Sequence, residues 1–217
     1  MKGIFGTGSL YQEKSSNVCK YRISDKNTLI EIISLINGKF RTPKLIYLHR
    51  AIYHLNLIHN LNIKILPLDN SSLLSNPWLA GITDADGNFI ISLEGLYGLN
   101  NSITRGRVKC TFSIKQRVID KPTGLSCIPF MTEIANLFQC NINYQYDNEM
   151  RFLAQADSKH YITKSYFDNY PLMTSKYLNY LVFFKAISYL GRRLTNKEII
   201  EIQNLKNSMN NKRTYYN

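Results

Sequence analysis

The chain has 217 residues, enough for one domain or two small ones around a substantial core. Lys and Arg exceed Asp and Glu by 27 to 15, a net charge of +12 that favours an anionic partner such as nucleic acid. No apolar run reaches the ~20 residues a membrane helix needs, and Tyr180–Leu190 is interrupted by Lys185, so no membrane partner is expected.

Cys19, Cys110, Cys127 and Cys140 form no C-x-x-C pair and no zinc spacing with the four histidines, which points to reduced thiols inside a cell. Met1-Lys2-Gly3-Ile4-Phe5-Gly6 does not resemble a cleavable presequence. Asn, Ile, Lys and Tyr are abundant and their codons are AT-rich, as in an organellar genome. A protein made inside the organelle needs no import signal, so a mitochondrial, organelle-encoded origin fits.

In chain order, Gly6–Tyr11 and Val18–Ile23 read as short strands joined by a polar turn. A helix follows, capped by Ser24 or Asp25, with an apolar stripe through Leu29, Ile33 and Ile36, and Gly38 ends it. Thr42-Pro43 opens a second helix through about Leu57, and Leu66–Asn76 reads as a linker lying against the body of the protein.

The stretch Asn76–Gly87, NPWLAGITDADG, then predicts a short helix. Asn76 is its N-cap, Pro77 its first residue and Gly87 a left-handed C′ residue. Its interior breaks local rules. Gly81 costs about 1 kcal/mol against alanine, and Asp86 sets negative charge at the negative end of the helix dipole. Both penalties make sense if a second backbone approaches over Ala80, Gly81 and Ala85 and a cation sits beside Asp86.

Asn88–Glu94 and Arg105–Val118 alternate as the strands of a hairpin. In the second strand, Val108, Cys110, Phe112 and Ile114 share one face, while Arg105, Arg107, Lys109, Thr111, Ser113 and Lys115 form a basic strip on the other. Ser126–Phe138 reads as a helix, Asn141–Tyr146 and Glu149–Ala156 as a second hairpin, and Lys159–Phe167 and Thr174–Leu190 as helices. A last helix opens on the capping box Thr195-Asn196-Lys197-Glu198.

Self-comparison finds a weak repeat. Thr42-Pro43-Lys44 and Thr174-Ser175-Lys176 each place a lysine at the start of a long helix. Lys176 follows Asp86 by 176 − 86 = 90 residues, so the counterpart of Asp86 for Lys44 falls at 44 − 90 = −46, before Met1.

Leu79-Ala80-Gly81-Ile82-Thr83-Asp84-Ala85-Asp86-Gly87 resembles the signature of the LAGLIDADG homing endonucleases at seven of nine positions, departing at Ile82 and Thr83. The resemblance implies an α+β fold of α-β-β-α-β-β-α units whose saddle-shaped antiparallel sheets grip double-stranded DNA. Residues 71–217 make one complete unit and residues 1–70 a partial one without its signature helix. By the same resemblance, Asp86 is the ligand of Mg2+ with the Ala85 carbonyl assisting, Gln116 orders water, Lys176 supports transition-state charge and Lys44 is its partner. Asp84 is structural. Ser92, Arg105, Arg107, Lys109, Thr111, Ser113, Lys115 and Arg151 contact DNA, and Ala80, Gly81 and Ala85 form the helix interface.

Family proteins with two units carry two signatures, and this chain carries one. A segment fused upstream, a homodimer or a decaying reading frame each accounts for it. The expected activity is intron-homing, metal-dependent cleavage of DNA. An RNA maturase that binds its intron RNA, or a DNA-binding remnant without catalysis, is the alternative.

Overall fold

The computed structural model describes residues 5–13, 18–95, 106–145, 148–154 and 157–213. Arg105 and the loop before it lie outside these residues. The chain divides into two compact units, Met1–Asn70 and Ser71–Asn217.

In the first unit, β1 (Ser9–Gln12) pairs antiparallel with β2 (Cys19–Arg22). Helix α1 (Lys26–Ile36) starts at Asp25, whose carboxylate accepts the Thr28 N–H at 2.9 Å, and the chain turns away through Gly38 at φ +76°. Helix α2 (Leu45–His59) follows. The core is small and aliphatic, built on Ile33, Leu45, Leu48 and Ile52. Residues 61–70 have no regular structure and are held by side chains instead. Asn56 bonds both backbone groups of Ile63, and Asn37 donates to Lys64 O at 2.7 Å and accepts from the Leu66 N–H. The buried Arg41 guanidinium meets Asp69 at 3.2 Å. The expected linker thus belongs in its first half to this unit, and only Leu73–Ser75, a single 3-10 turn, leads into the next.

The second unit opens on α3 (Trp78–Asp86). It starts one residue later than the sequence predicts, with Gly81 N–H donating to Pro77 O as its first turn, while Asn76 Oδ1 accepts the Trp78 N–H at 3.0 Å. The Ala80 N–H, unsatisfied within the first turn, donates to Tyr166 Oη at 3.2 Å, and Tyr166 Oη donates to Asn76 O. Strands β3 (Gly87–Glu94) and β4 (Arg107–Arg117) follow, then a small hairpin of β5 (Ile119–Asp120) and β6 (Leu125–Ser126). Next come α4 (Ile128–Leu137), β7 (Ile142–Gln145), β8 (Glu149–Ala154) and α5 (Asp157–Asn169). Helices α6 (Lys176–Ile187) and α7 (Asn196–Asn207) complete the unit, the latter with its capping box formed.

The main sheet is antiparallel in the order β3-β4-β8-β7, with β4 as its long central strand. Alternation sends Phe89, Ile91, Val108, Cys110, Phe112 and Ile114 to one face, where all are buried against the helices. Phe89 and Phe112 stack with centroids 5.0 Å apart, and Phe167, Tyr180 and Phe183 close around them. Each such ring contributes about 1.5–3 kcal/mol by burial, so this face fixes the register of β3 on β4 and thereby the position of everything on the opposite face. Among the described residues no helix is long and apolar enough to cross a membrane.

Gly87 departs from its expected role. It is not left-handed but extended, at φ −73° and ψ 154°, and is already the first residue of β3. What demands glycine there is space, since a Cβ would stand 2.5 Å from Thr83 Cγ2 and 2.7 Å from Thr83 O. The helix passes into the strand without a loop, and a side chain at the junction would collide with the last turn.

Candidate active site

That junction sets Asp86 at the C-terminal tip of α3, exposed, with Gln116 from the end of β4 donating its Nε2 to Asp86 Oδ2. Gln116 pairs across from Met150 in the sheet register and so lies at the core side of the strand's end, where it can reach the helix tip. Lys176 arrives from the start of α6. Its Nζ donates to Ala85 O at 2.9 Å, a carbonyl that the end of the helix leaves unpaired, and to Thr83 O at 3.1 Å, which also accepts the Gly87 N–H.

A lysine in the first turn of α6 opposes that helix's own dipole, but it complements the negative end of α3. Half-burial holds the Lys176 ammonium below the usual lysine range, and the carboxylates of Asp86 and then Asp84 act against that shift. Asp84 turns the other way and accepts from the backbone N–H groups of Met173 (2.7 Å) and Thr174 (3.2 Å) and from Thr174 Oγ1 (2.6 Å). The end of α3 and the start of α6 are therefore braced twice, carboxylate to N–H in one direction and ammonium to carbonyl in the other. Asp86, Gln116 and Lys176 form one cluster. Lys44 stands in the first unit, exposed at the head of α2, without a side-chain hydrogen bond or ion pair to another described residue.

The helix face is divided. Ala80 is buried in the core of its own unit, 4% exposed, so it is not open to a partner as the sequence suggests. Gly81 and Ala85 are exposed, and a Cβ on Gly81 would meet nothing within 4 Å. The bare strip runs through Pro77, Gly81 and Ala85, four residues apart.

On the sheet, Ser92 pairs with Lys109, and Lys115 with Arg151, so these side chains share the outer face with Arg107. Thr111 and Ser113 share it too but are only 6% and 3% exposed. Short side chains on a strand flanked from both sides sit low between their neighbours, so contact from Thr111 and Ser113 to a docked molecule is sterically poorer than strand position alone implies. The basic strip is also not free of acids, because Lys109 lies 3.4 Å from Glu94 and Lys115 pairs with Glu149. Acid residues on the neighbouring strands temper it, which reading one strand at a time does not reveal.

The description of the LAGLIDADG endonuclease family matches residues 79–187, 109 of the 217, from the first turn of α3 to the end of α6. The chain belongs to that family. It is 29% identical to the intron-encoded DNA endonuclease aI3 of Saccharomyces cerevisiae, an alignment spanning 96% of this chain and 58% of that protein. It is 28% identical to the 37.2 kDa cox1 intron-2 protein of Schizosaccharomyces pombe, over 94% of this chain and 60% of that one. The chain thus spans rather more than half the length of these relatives. In three dimensions it is similar to the LAGLIDADG homing endonuclease I-LtrWI, crystallised with its target DNA, at a TM-score of 0.70 and 20% identity over 98% of this chain and 82% of that one. The α-β-β-α-β-β-α order and the antiparallel sheet are the LAGLIDADG fold.

Within this LAGLIDADG chain, two participants have no local signal in the sequence. Tyr166 positions the start of α3 from 86 residues away, and Thr174 holds Asp84 from 90. A repeat that includes Thr174 is the only hint of the second, and nothing hints at the first.

Proposed function

We propose that this chain acts in site-specific double-strand DNA cleavage of the intron-homing kind, hydrolysing phosphodiester bonds with a divalent metal, Mg2+ by preference. The observation that supports it most directly is the convergence of Asp86, Gln116 and Lys176 at the tip of α3, beside a sheet face bearing Arg107, Lys109, Lys115 and Arg151. The relatives' names, intron-encoded DNA endonuclease and cox1 intron protein, point the same way and, with the abundance of residues whose codons are AT-rich, to mitochondria.

The donors here are a carboxylate and a backbone carbonyl, hard oxygens suited to Mg2+. They are too few alone. Among the described residues no cluster of three or more His, Cys, Asp or Glu forms a cage. Asp86 and the Ala85 carbonyl would hold the metal from one side, with a second aspartate facing them across the bare Pro77–Gly81–Ala85 strip. That aspartate comes from a second copy or from a covalently joined segment of the same kind. A metal held there would supply Lewis acidity, lowering the pKa of a water and polarising the attacked phosphate.

The chain's own residues do the rest. Gln116 fixes the rotamer of Asp86 through its Nε2 donor. Lys176 supplies a partly desolvated ammonium for charge that builds on the phosphate oxygens, where low dielectric makes it count for more than in water. Lys176 also donates to the Ala85 carbonyl, whose second lone pair would remain for a metal. The unit 1 segment is read as the remainder of a unit lacking its signature helix, with Lys44 in the place of Lys176.

The decisive experiment incubates the chain with the intronless form of its host gene and MgCl2, beside Asp86→Asn. Cleavage is expected to vanish in the variant while duplex binding persists. Undiminished cutting by Asp86→Asn removes the metal-ligand role, and the absence of duplex binding by either protein removes the reading altogether.

A further inference from the structure

The C-terminal end of the second unit builds a cationic groove of about 630 Å3 against the edge strand β3. Four cations line it, namely Lys176, Lys206, Lys212 and Arg213, and no acidic residue does so among those described. Asn88 forms part of its wall and belongs to the same sheet face as Ser92 and Lys109, so the groove is continuous with that face on one side and with Lys176 on the other.

The groove is a built feature and not a loose tail. After α7 the chain returns to the sheet, with Met209 buried. Asn210, held at φ +53°, donates through Nδ2 to Phe89 O on the free edge of β3. The buried Asn179 of α6 donates to Asn210 Oδ1 at 3.1 Å, and its own Oδ1 accepts from Asn210 N–H and from Arg213 Nη2, each at 3.1 Å. These bonds pin Asn210 and Arg213, and with them the backbone that follows α7 and carries Lys212, against β3 and α6. Arg213 Nε is left buried without an acceptor although Nη2 is bonded, and an unpaired buried N–H is costly unless an acceptor lies close.

Like charges held together by a dedicated amide network, with an orphan donor among them, call for a ligand carrying several oxyanions at fixed spacing. We infer that this groove binds the sugar–phosphate backbone of the DNA strand next to the bond that is cut, with Lys206 and Lys212 as phosphate contacts and Asn210 as the residue that positions them. The inference rests on the DNA-cleavage reading above, because it takes the strand that meets Lys176 to continue into the groove.

The test measures binding of the full chain to a random-sequence DNA duplex between 50 and 200 mM salt, for wild type, for the double variant Lys206→Gln/Lys212→Gln and for Asn210→Gly. Both lysines are exposed, so the double variant keeps the fold, and glycine keeps the left-handed backbone at 210. Removing two phosphate contacts lowers the salt slope by about 1.8, so the double variant loses roughly tenfold less affinity across that range than wild type does. Asn210→Gly lowers the slope with all four cations still present. An unchanged slope in the double variant overturns the groove while leaving the endonuclease reading standing. Wild type that shows no salt-dependent binding to duplex overturns both. If the variants lose affinity only for inorganic phosphate, or only for single-stranded RNA, the groove serves another ligand and the inference fails.

Discussion

The two units carry matching lysines in unlike surroundings. Lys176 at the head of α6 is half-buried against the carbonyls of Thr83 and Ala85, whereas Lys44 at the head of α2 is exposed. The units' interiors differ in the same sense. The second unit packs aromatic rings between a four-stranded sheet and its helices, and the first has, among its described residues, a core of four buried aliphatic side chains and a two-stranded sheet. Of the eighteen large apolar residues exposed among those described, ten lie in the first 70 residues, from Leu10 to Leu68, which makes unit 1 the under-buried one. The difference teaches that a lysine at a helix start acquires a role from the neighbouring helix that ends beside it. The repeated motif is only half of the device.

The sharpest test of the contrast is stability. Phe112→Ala should cost the second unit about 3–5 kcal/mol and Ile52→Ala the first about 2–4 kcal/mol. Trp78, the single tryptophan, reports on the second unit in denaturant melts, while circular dichroism reports on both. If Ile52→Ala shifts both signals equally, the distinction between two cores collapses.

Next in size is catalysis. Lys176→Ala is expected to lower the cleavage rate by about 10²–10³, as removal of a preorganised charge donor does, and Lys44→Ala by less than about threefold. Equal losses would mean that Lys44 too has an aspartate beside it during turnover. A smaller but clean effect concerns the strip that unit 1 offers no counterpart to. Gly81 is exposed and a Cβ there has nothing within 4 Å beyond its own helix, so Gly81→Leu should not lower the melting temperature while it lowers self-association in sedimentation. Unaltered sedimentation would show that the strip is not the contact surface.

The smallest effect is on pH. Glu198 at the start of α7 is held down to about 2, first by Arg192 and then by the Thr195 backbone N–H. A carboxylate depressed in the folded state adds stability that is present above its unfolded value near 4.5 and is lost as pH falls towards 2. Glu198→Gln should flatten that part of the melting-temperature profile. Asp25, lowered by the Thr28 N–H, gives unit 1 a matching dependence, and its absence in Asp25→Asn measures the same device there.

Much of the site was legible because its key residues sit in one short run whose local costs, Gly81 and Asp86, call for an external reason. The alternation of β4 was legible too, since one face had to be apolar. What escaped was whatever depends on distant neighbours. Ala80 reads as interface until Tyr166 and the core claim it. Thr111 and Ser113 read as exposed because period-two alternation assigns a face and not a depth. Gly87 reads as a helix cap because no sequence signal separates a left-handed glycine from one excluded by a Thr83 methyl. The β5-β6 hairpin, two residues a side, is below the length at which alternation is visible.

The double brace between α3 and α6 also has a meaning in time. Its bonds join residues separated by 89 to 93 positions, from Asp84 to Met173 and from Thr83 to Lys176. Contacts of such separation pay their loop-closure entropy before they are rewarded and are made late. As the chain leaves the ribosome, Asp86 emerges long before the lysine that braces its helix. A half-made chain therefore carries Asp86 without Lys176 beside it, and the cluster at the tip of α3 is assembled only when the second unit is whole.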